Sequence, residues 1–324
     1  MSSNRALIVL FDVIVLVAVT LFSCMLAVVA FSKNIHRSIG WYNLMTSWLV
    51  YSLSYGLLVG RQEGPAKPPS GLCLFQTSLV YAVPPLVAVS TLCYYIEFYL
   101  IISGLRSGSP RQSSFSRTFW LVITPWLVFL VIVLEVLLFI FPGGHLHLLD
   151  AATHDFYCNL DNIVPNQVTA AIIICAMAIL IPLEVWTGFL MYRNWVVFKR
   201  LSRKDRRLLL TVYIRLILCT LAAVMAFVCV RWFFFIMPDA TSLVYPTRGF
   251  LVLIFLVSIF IAFAFGTQKD LLQAWLFWQP PQPHSSIVFN RGTLTTTSIS
   301  TSRTVARTGT TEIPTGTRNQ APVP

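Results

Sequence analysis

The chain has 324 residues, 56% of them hydrophobic and only 11% charged, with a formal net charge of +11 and a mean hydropathy of +0.75. A soluble globular chain carries roughly 25% charged residues, so this sequence cannot wet its own surface and reads as a single integral membrane domain. Its basic residues gather in alternate loops between apolar runs. That pattern points to topology-setting charge facing an anionic membrane lipid leaflet and excludes a nucleic-acid partner.

A bilayer core about 30 Å thick takes about 20 apolar residues per helical crossing. Runs of that kind predict an all-α membrane fold, a seven-transmembrane helix bundle over residues 6–31, 41–60, 73–103, 118–141, 167–192, 210–236 and 249–266. The first run follows Arg5. It is longer than a signal-peptide core and lacks a small-residue cleavage site behind it, so it is expected to remain as a span. The second carries Ser52, Gly56 and Gly60 at four-residue spacing, a small-residue face that predicts close helix contact inside the bundle. The third contains Pro84 and Pro85 near its middle. Two prolines remove two backbone donors and free the carbonyls of Val80 and Tyr81. In lipid such carbonyls must find partners, so the bend is expected to face the bundle or a wet cavity, with the hydroxyls of Tyr81, Tyr94 and Tyr95 nearby.

Loop charge sets the orientation. The N-terminus and loops 61–72, 142–166 and 238–248 hold four Lys or Arg, whereas loops 32–40, 104–117, 193–209 and the C-terminal tail hold seventeen. The positive-inside rule then puts the N-terminus outside and the tail in the cytoplasm. The loop 142–166 has Asp150, Asp155 and Asp161 with His145, His147 and His154, but their spacing matches no compact ligand motif, and no metal is expected. Cys73, at the outer end of the third span, and Cys158, in the loop before the fifth, share the oxidising side and are expected to form a disulfide across the bundle mouth. Cys24, Cys93, Cys175, Cys219 and Cys229 fall within spans and read as small buried apolar residues.

After the last span, Leu271, Leu272, Trp275 and Trp278 lie at helical spacing and predict a short amphipathic helix on the inner membrane surface, ended by Gln279-Pro-Pro-Gln-Pro283. Sixteen Ser or Thr from Ser285 onward mark a tail disordered by composition. The chain thus divides into a bundle (1–266), a juxtamembrane helix (267–278) and a cytoplasmic tail (279–324). Walker, zinc-protease, nucleophile-elbow and dinucleotide signatures are missing, so neither enzyme activity nor a cofactor is expected.

Charges inside spans are expensive in hydrocarbon and mark function or internal pairing. Counted along each span at about 1.5 Å per residue, they fall in two layers. Asp12, Glu135 and Arg231 lie near the outer edge and are expected to line an outer cavity, with Tyr81, Pro84 and Pro85 as further ligand-pocket candidates. Glu97 and Arg215 lie near the inner edge, and Glu184 slightly deeper.

Seven spans, an outer N-terminus, the Cys73 and Cys158 pair, a basic third inner loop, a juxtamembrane helix and a Ser/Thr tail together resemble a G-protein-coupled receptor, in the style of the divergent orphan receptor-like proteins of fungi. Where such receptors carry an acidic-Arg-Tyr triplet, this chain reads Glu97-Phe98-Tyr99, and its seventh span reads Phe263-Ala-Phe-Gly-Thr267 in place of Asn-Pro-x-x-Tyr. The resemblance implies a plasma-membrane signal transducer. An unknown extracellular ligand would open the inner ends of spans five and six toward a heterotrimeric G protein, which would meet Arg106, Arg111, Lys199, Arg200, Arg203, Lys204, Arg206 and Arg207. With Phe98 in place of the triplet Arg, a closed-state lock is expected with reversed polarity, Glu97 on span three against Arg215 on span six. The competing expectation is a static Glu184–Arg215 pair. A small-solute transporter or channel is the alternative function, though it calls for paired broken helices and the sequence offers one.

Overall fold

The computed structural model describes residues 2–32, 37–60, 69–107, 115–140, 149–150, 158–160, 163–195, 199, 203–236 and 256–267. They form helices α1 (Ser2–Phe31), α2 (Ile39–Gly56), α3 (Ser70–Ser107), α4 (Phe115–Ile140), α5 (Ile163–Arg193), α6 (Arg203–Ile236) and α7 (Leu256–Gly266). Between α4 and α5 two short strands, β1 (Leu149–Asp150) and β2 (Asn159–Leu160), pair antiparallel. Five stretches are long and apolar enough to cross a membrane: Arg5–Phe31, Gly71–Gly104, Ser116–Ile140, Val164–Arg193 and Arg206–Met225. The chain is therefore a multi-pass membrane protein.

Of the α3 span, 61% is buried, against 17 to 33% of the other four, which makes α3 the central post. Helices α2, α4 and α5 pack on it, and α1 packs on α2. α6 joins α5 through Tyr213 Oη, which donates to the Glu184 carbonyl at 3.2 Å. α7 meets α3 edge-to-face at Tyr94 and Phe265. It also meets α1 where a Cβ on Gly266 would lie 3.1 Å from Met25 Sδ.

Helical period sorts the faces. On α4, Leu127, Leu130, Val131, Leu134 and Leu138 are exposed, while Ile132, Val136 and Ile140 pack against Tyr81 and Ala82 of α3. α1 presents Val9, Val13, Leu16 and Val17 outward and buries Phe11, Val15, Ala18 and Phe22. Lipid tails are as apolar as these side chains, so apolar burial does little to drive helix against helix. Close packing and interhelical hydrogen bonds decide the arrangement.

Those bonds converge on α2 and α3. Ser47 and Ser90 hydroxyls meet at 2.7 Å. Asn43 of α2 accepts from Trp126 Nε1 of α4 at 2.7 Å and donates to the Val122 carbonyl at 3.4 Å. Pro84 and Pro85 lie within α3 without ending it. The Tyr81 carbonyl, whose helical donor would have been residue 85, accepts instead from Thr169 Oγ1 of α5 at 3.0 Å. The freed carbonyl of Tyr81 is thus satisfied inside the bundle.

Two expectations change. Gly60 is not on the α2 face: the helix ends at Gly56, and Gly60 sits in the following turn at φ +77°, a conformation glycine supplies without a Cβ penalty. Gly56 does form a close contact, since a Cβ there would lie 3.1 Å from Val15 of α1. Cys93 and Cys219 are buried, but Cys24 and Cys175 lie on the exposed outer faces of their helices.

Thr169→Val keeps the volume and strands the Tyr81 carbonyl. It should cost about 0.6 kcal/mol and at most about 1.7, the range for interhelical bonds in membranes. Thr91→Val removes only a bond to the carbonyl four residues back in the same helix and should cost less. Equal unfolding midpoints for the two purified variants would contradict the role given to Thr169.

Candidate functional site

Two polar constellations lie at opposite ends of α3. At one end Cys73 and Cys158 are joined by a disulfide with Cα atoms 5.4 Å apart. The staple is reinforced by bonds the sequence did not announce. Cys158 N donates to Gln76 Oε1 at 3.1 Å, Thr77 Oγ1 donates to the Cys158 carbonyl at 3.2 Å, and Gln76 Nε2 reaches the Ser54 carbonyl of α2 at 3.3 Å. Gln76 and Thr77 are fully buried and Leu58 packs on the disulfide. One α3 turn thus holds the start of β2 by a covalent bond and two hydrogen bonds, and with it the hairpin over this end of the bundle. Gln and Thr three and four residues after a Cys, on the same helix face, are the signal that could have found the clamp.

Glu97 lies twenty-four residues beyond Cys73, about 36 Å along a helix, at the other end. Its carboxylate sits on the N-terminus of α2. Ser38, the N-cap, accepts from Trp41 N at 3.2 Å and donates its hydroxyl to Glu97 Oε2 at 3.3 Å. The Gly40 amide donates to the same carboxylate. An acid at a helix N-terminus meets unsatisfied amides and the positive end of the dipole. Here the acid that caps α2 comes from a neighbouring helix. The fit requires glycine, because a Cβ at Gly40 would collide with Glu97 Oε2. Arg37, just before the cap, lies with its guanidinium 6.0 Å from the Trp41 ring centroid.

Arg215 of α6 donates through Nη2 to the Thr267 carbonyl at 3.2 Å, just past the last turn of α7. A cation here complements the negative end of that helix. Among the described residues Glu97 is therefore hydrogen-bonded at a helix N-terminus and Arg215 at a helix C-terminus, with no bond between the two. The two charges, with Arg37, all act on Tyr94 between them. Glu184 is bonded to Thr220 Oγ1 of α6 at 2.6 Å. In place of the expected Glu184–Arg215 contact, Glu184 meets a hydroxyl five residues further along α6.

The remaining candidates are placed as follows. Tyr81 is buried in the apolar cluster between α3 and α4, Pro85 is buried and Pro84 half-buried. Asp12 on α1 and Glu135 on α4 are half-buried, while Arg231 lies in α6 with its side chain outside the described residues. Lys199, Arg203 and Arg207 are exposed and Arg206 half-buried. The side chains of Arg106 and Lys204, residues Arg111 and Arg200, the loop His residues, the juxtamembrane helix and the tail lie outside the described residues. Among the described residues no group of three His, Cys, Asp or Glu could hold a metal. No protein-family model matches the chain, and no curated protein shows significant similarity to it.

Gly40→Ala should push the Glu97 carboxylate off the α2 N-terminus and cost about 1.5–3 kcal/mol, the scale of hydrogen bonds to a charged group. Glu97→Ala removes the obstacle, so the double variant should be much less destabilised than the two singles summed. Strictly additive losses in thermal unfolding would show that the two residues do not meet.

Proposed function

We propose that the chain is a seven-span, G-protein-coupled-receptor-like signal transducer of the plasma membrane, with its N-terminus outside. It senses an extracellular ligand and couples to a heterotrimeric G protein. The observation that carries this reading is the contrast between the ends of α3. The disulfide-clamped hairpin covers one end, and such a bond persists on the oxidising side of a membrane. The opposite end has the helix-terminus contacts of Glu97 and Arg215, and exposed Arg203 and Arg207 begin α6. Disulfide chemistry and the positive-inside rule are independent arguments, and they agree on the orientation.

In this reading the Arg215–Thr267 bond holds the inner end of α6 to α7 in the closed state. A ligand at the stapled end shifts the population only by its differential affinity for the two states. The movement that releases α6 breaks one interhelical hydrogen bond and frees a guanidinium, a barrier small enough for ligand binding to overcome. The basic stretch from Lys199 to Arg207 then meets the G protein. The lock of an acid on span three against an Arg on span six is not needed, because Glu97 and Arg215 each have a helix terminus as partner.

The test is nucleotide exchange on heterotrimeric G proteins with purified full-length chain. Exchange should accelerate with at least one G-protein class, Arg215→Gln should raise the ligand-independent rate, and Arg203→Gln with Arg207→Gln should lower the stimulated rate by about tenfold, or about 1.4 kcal/mol. A tag after Pro324 should remain unlabelled on intact cells. Failure to stimulate any G protein, by a chain that is folded and at the cell surface, would overturn the coupling.

A further inference from the structure

Glu184 carries an inference that does not depend on the receptor reading. It is buried, 8% exposed, in the half of α5 that faces α3 and α6. Its carboxylate contacts Thr220 Oγ1 at 2.6 Å, and the same hydroxyl lies 3.1 Å from the Leu216 carbonyl one turn back in α6. A threonine hydroxyl has one hydrogen and two lone pairs. With a charged Glu184, Thr220 would have to serve two acceptors with that one hydrogen, and the charge would rest on half of a shared bond. With a protonated Glu184 both contacts are complete: the acid donates to Thr220 Oγ1, and Thr220 donates to the Leu216 carbonyl. The 2.6 Å separation is in the range of a good O–H···O bond.

The surroundings agree. Among the described residues, the titratable groups acting with Glu184 are Tyr95 of α3 and Tyr213 and Cys219 of α6, all neutral in their ordinary state. Arg215, five residues before Thr220 and roughly 140° around the helix, donates to Thr267. The Tyr213 hydroxyl donates to the Glu184 backbone carbonyl and not to its carboxyl group. Tyr95, fully buried, places its hydroxyl toward Thr187 of α5. The Thr187 hydroxyl in turn donates to the Leu183 carbonyl at 2.7 Å. Among the described residues no cation is bonded to this carboxyl, so an ionised acid here would be an uncompensated charge in hydrocarbon, the arrangement membrane proteins avoid.

We propose that Glu184 is a proton-binding site at the α3–α5–α6 junction, loaded in this conformation, and that loss of its proton loosens the contact between α5 and α6. The balance is simple: the carboxylic O–H bond breaks, the proton leaves to solvent, and the carboxylate that remains turns Thr220 from acceptor to donor. Thr220 must then give up the Leu216 carbonyl, and the new charge draws water between the helices.

Infrared difference spectra of the purified full chain in lipid, taken with hydrogen–deuterium exchange, test the loading. A protonated-carboxyl band should be present at neutral pH and absent in Glu184→Gln, whose amide keeps a donor to Thr220 and preserves the fold. In Thr220→Val that band should move to higher frequency as the acid loses its acceptor. Superimposable wild-type and Glu184→Gln spectra, or an unmoved band in Thr220→Val, would overturn the assignment. The second arm is site-resolved maleimide labelling of buried Cys219, read by mass spectrometry across pH. Its labelling rate should rise several-fold more steeply with pH in wild type than in Glu184→Gln. Parallel curves would remove the loosening. Neither arm uses a ligand or a G protein, so the outcome is separate from that of the exchange assay.

Discussion

Hydrocarbon contains no water to satisfy a polar group, and this one constraint accounts for most of the architecture. Each helix closes its own backbone bonds, so the question passes to the groups that a helix cannot satisfy alone. Pro84 and Pro85 create such groups in α3, and the Tyr81 carbonyl is taken up by Thr169. Side chains with hydrogen-bonding capacity are drawn inward in the same way. Ser47, Ser90, Asn43, Gln76 and Thr77 are all buried and hydrogen-bonded to other helices or to Cys158. The apolar residues, with no such demand, are left to face lipid on α1 and α4.

Because α3 carries the largest share of these bonds, it becomes the post around which the others are arranged. Its two ends are fixed differently. The Cys73 end is fastened covalently and by the Gln76 and Thr77 clamp. The Glu97 end is fastened to α2 by a cap, and nearby a bond from Arg215 to a backbone carbonyl joins α6 to the end of α7. One end of the bundle is thus held covalently and the other by hydrogen bonds. Glu184 and Thr220 add a hydrogen-bonded joint between α5 and α6.

Much of the helix pattern was legible in the sequence because length and apolarity are properties of a single segment. All seven apolar runs correspond to described helices, and the Cys73–Cys158 bond followed from compartment alone. Five of the helices meet the length and apolarity of a membrane span. α2 is more polar, since its Asn43, Ser47, Ser52 and Ser54 are spent on the bundle interior. What the sequence concealed were partners across helices. Glu97 was expected to face Arg215 of span six, but a helix N-terminus offers a carboxylate two donors at once, and Ser38 before Ile39 supplies one of them. Likewise Arg215 went to a carbonyl at the end of α7, a partner that no residue type advertises.

The central claim is that buried polar pairs between helices, more than apolar burial, specify how this bundle is assembled. The most direct measurement is a double-mutant cycle on Ser47 and Ser90, whose hydroxyls meet 2.7 Å apart between α2 and α3. Unfolding free energies of Ser47→Ala, Ser90→Ala and the double variant would be compared with wild type in the same lipid–detergent system. The account predicts a coupling of about 0.6–1.7 kcal/mol, with the second substitution costing little once the first has been made. Purely additive losses, with all four proteins folded, would contradict it.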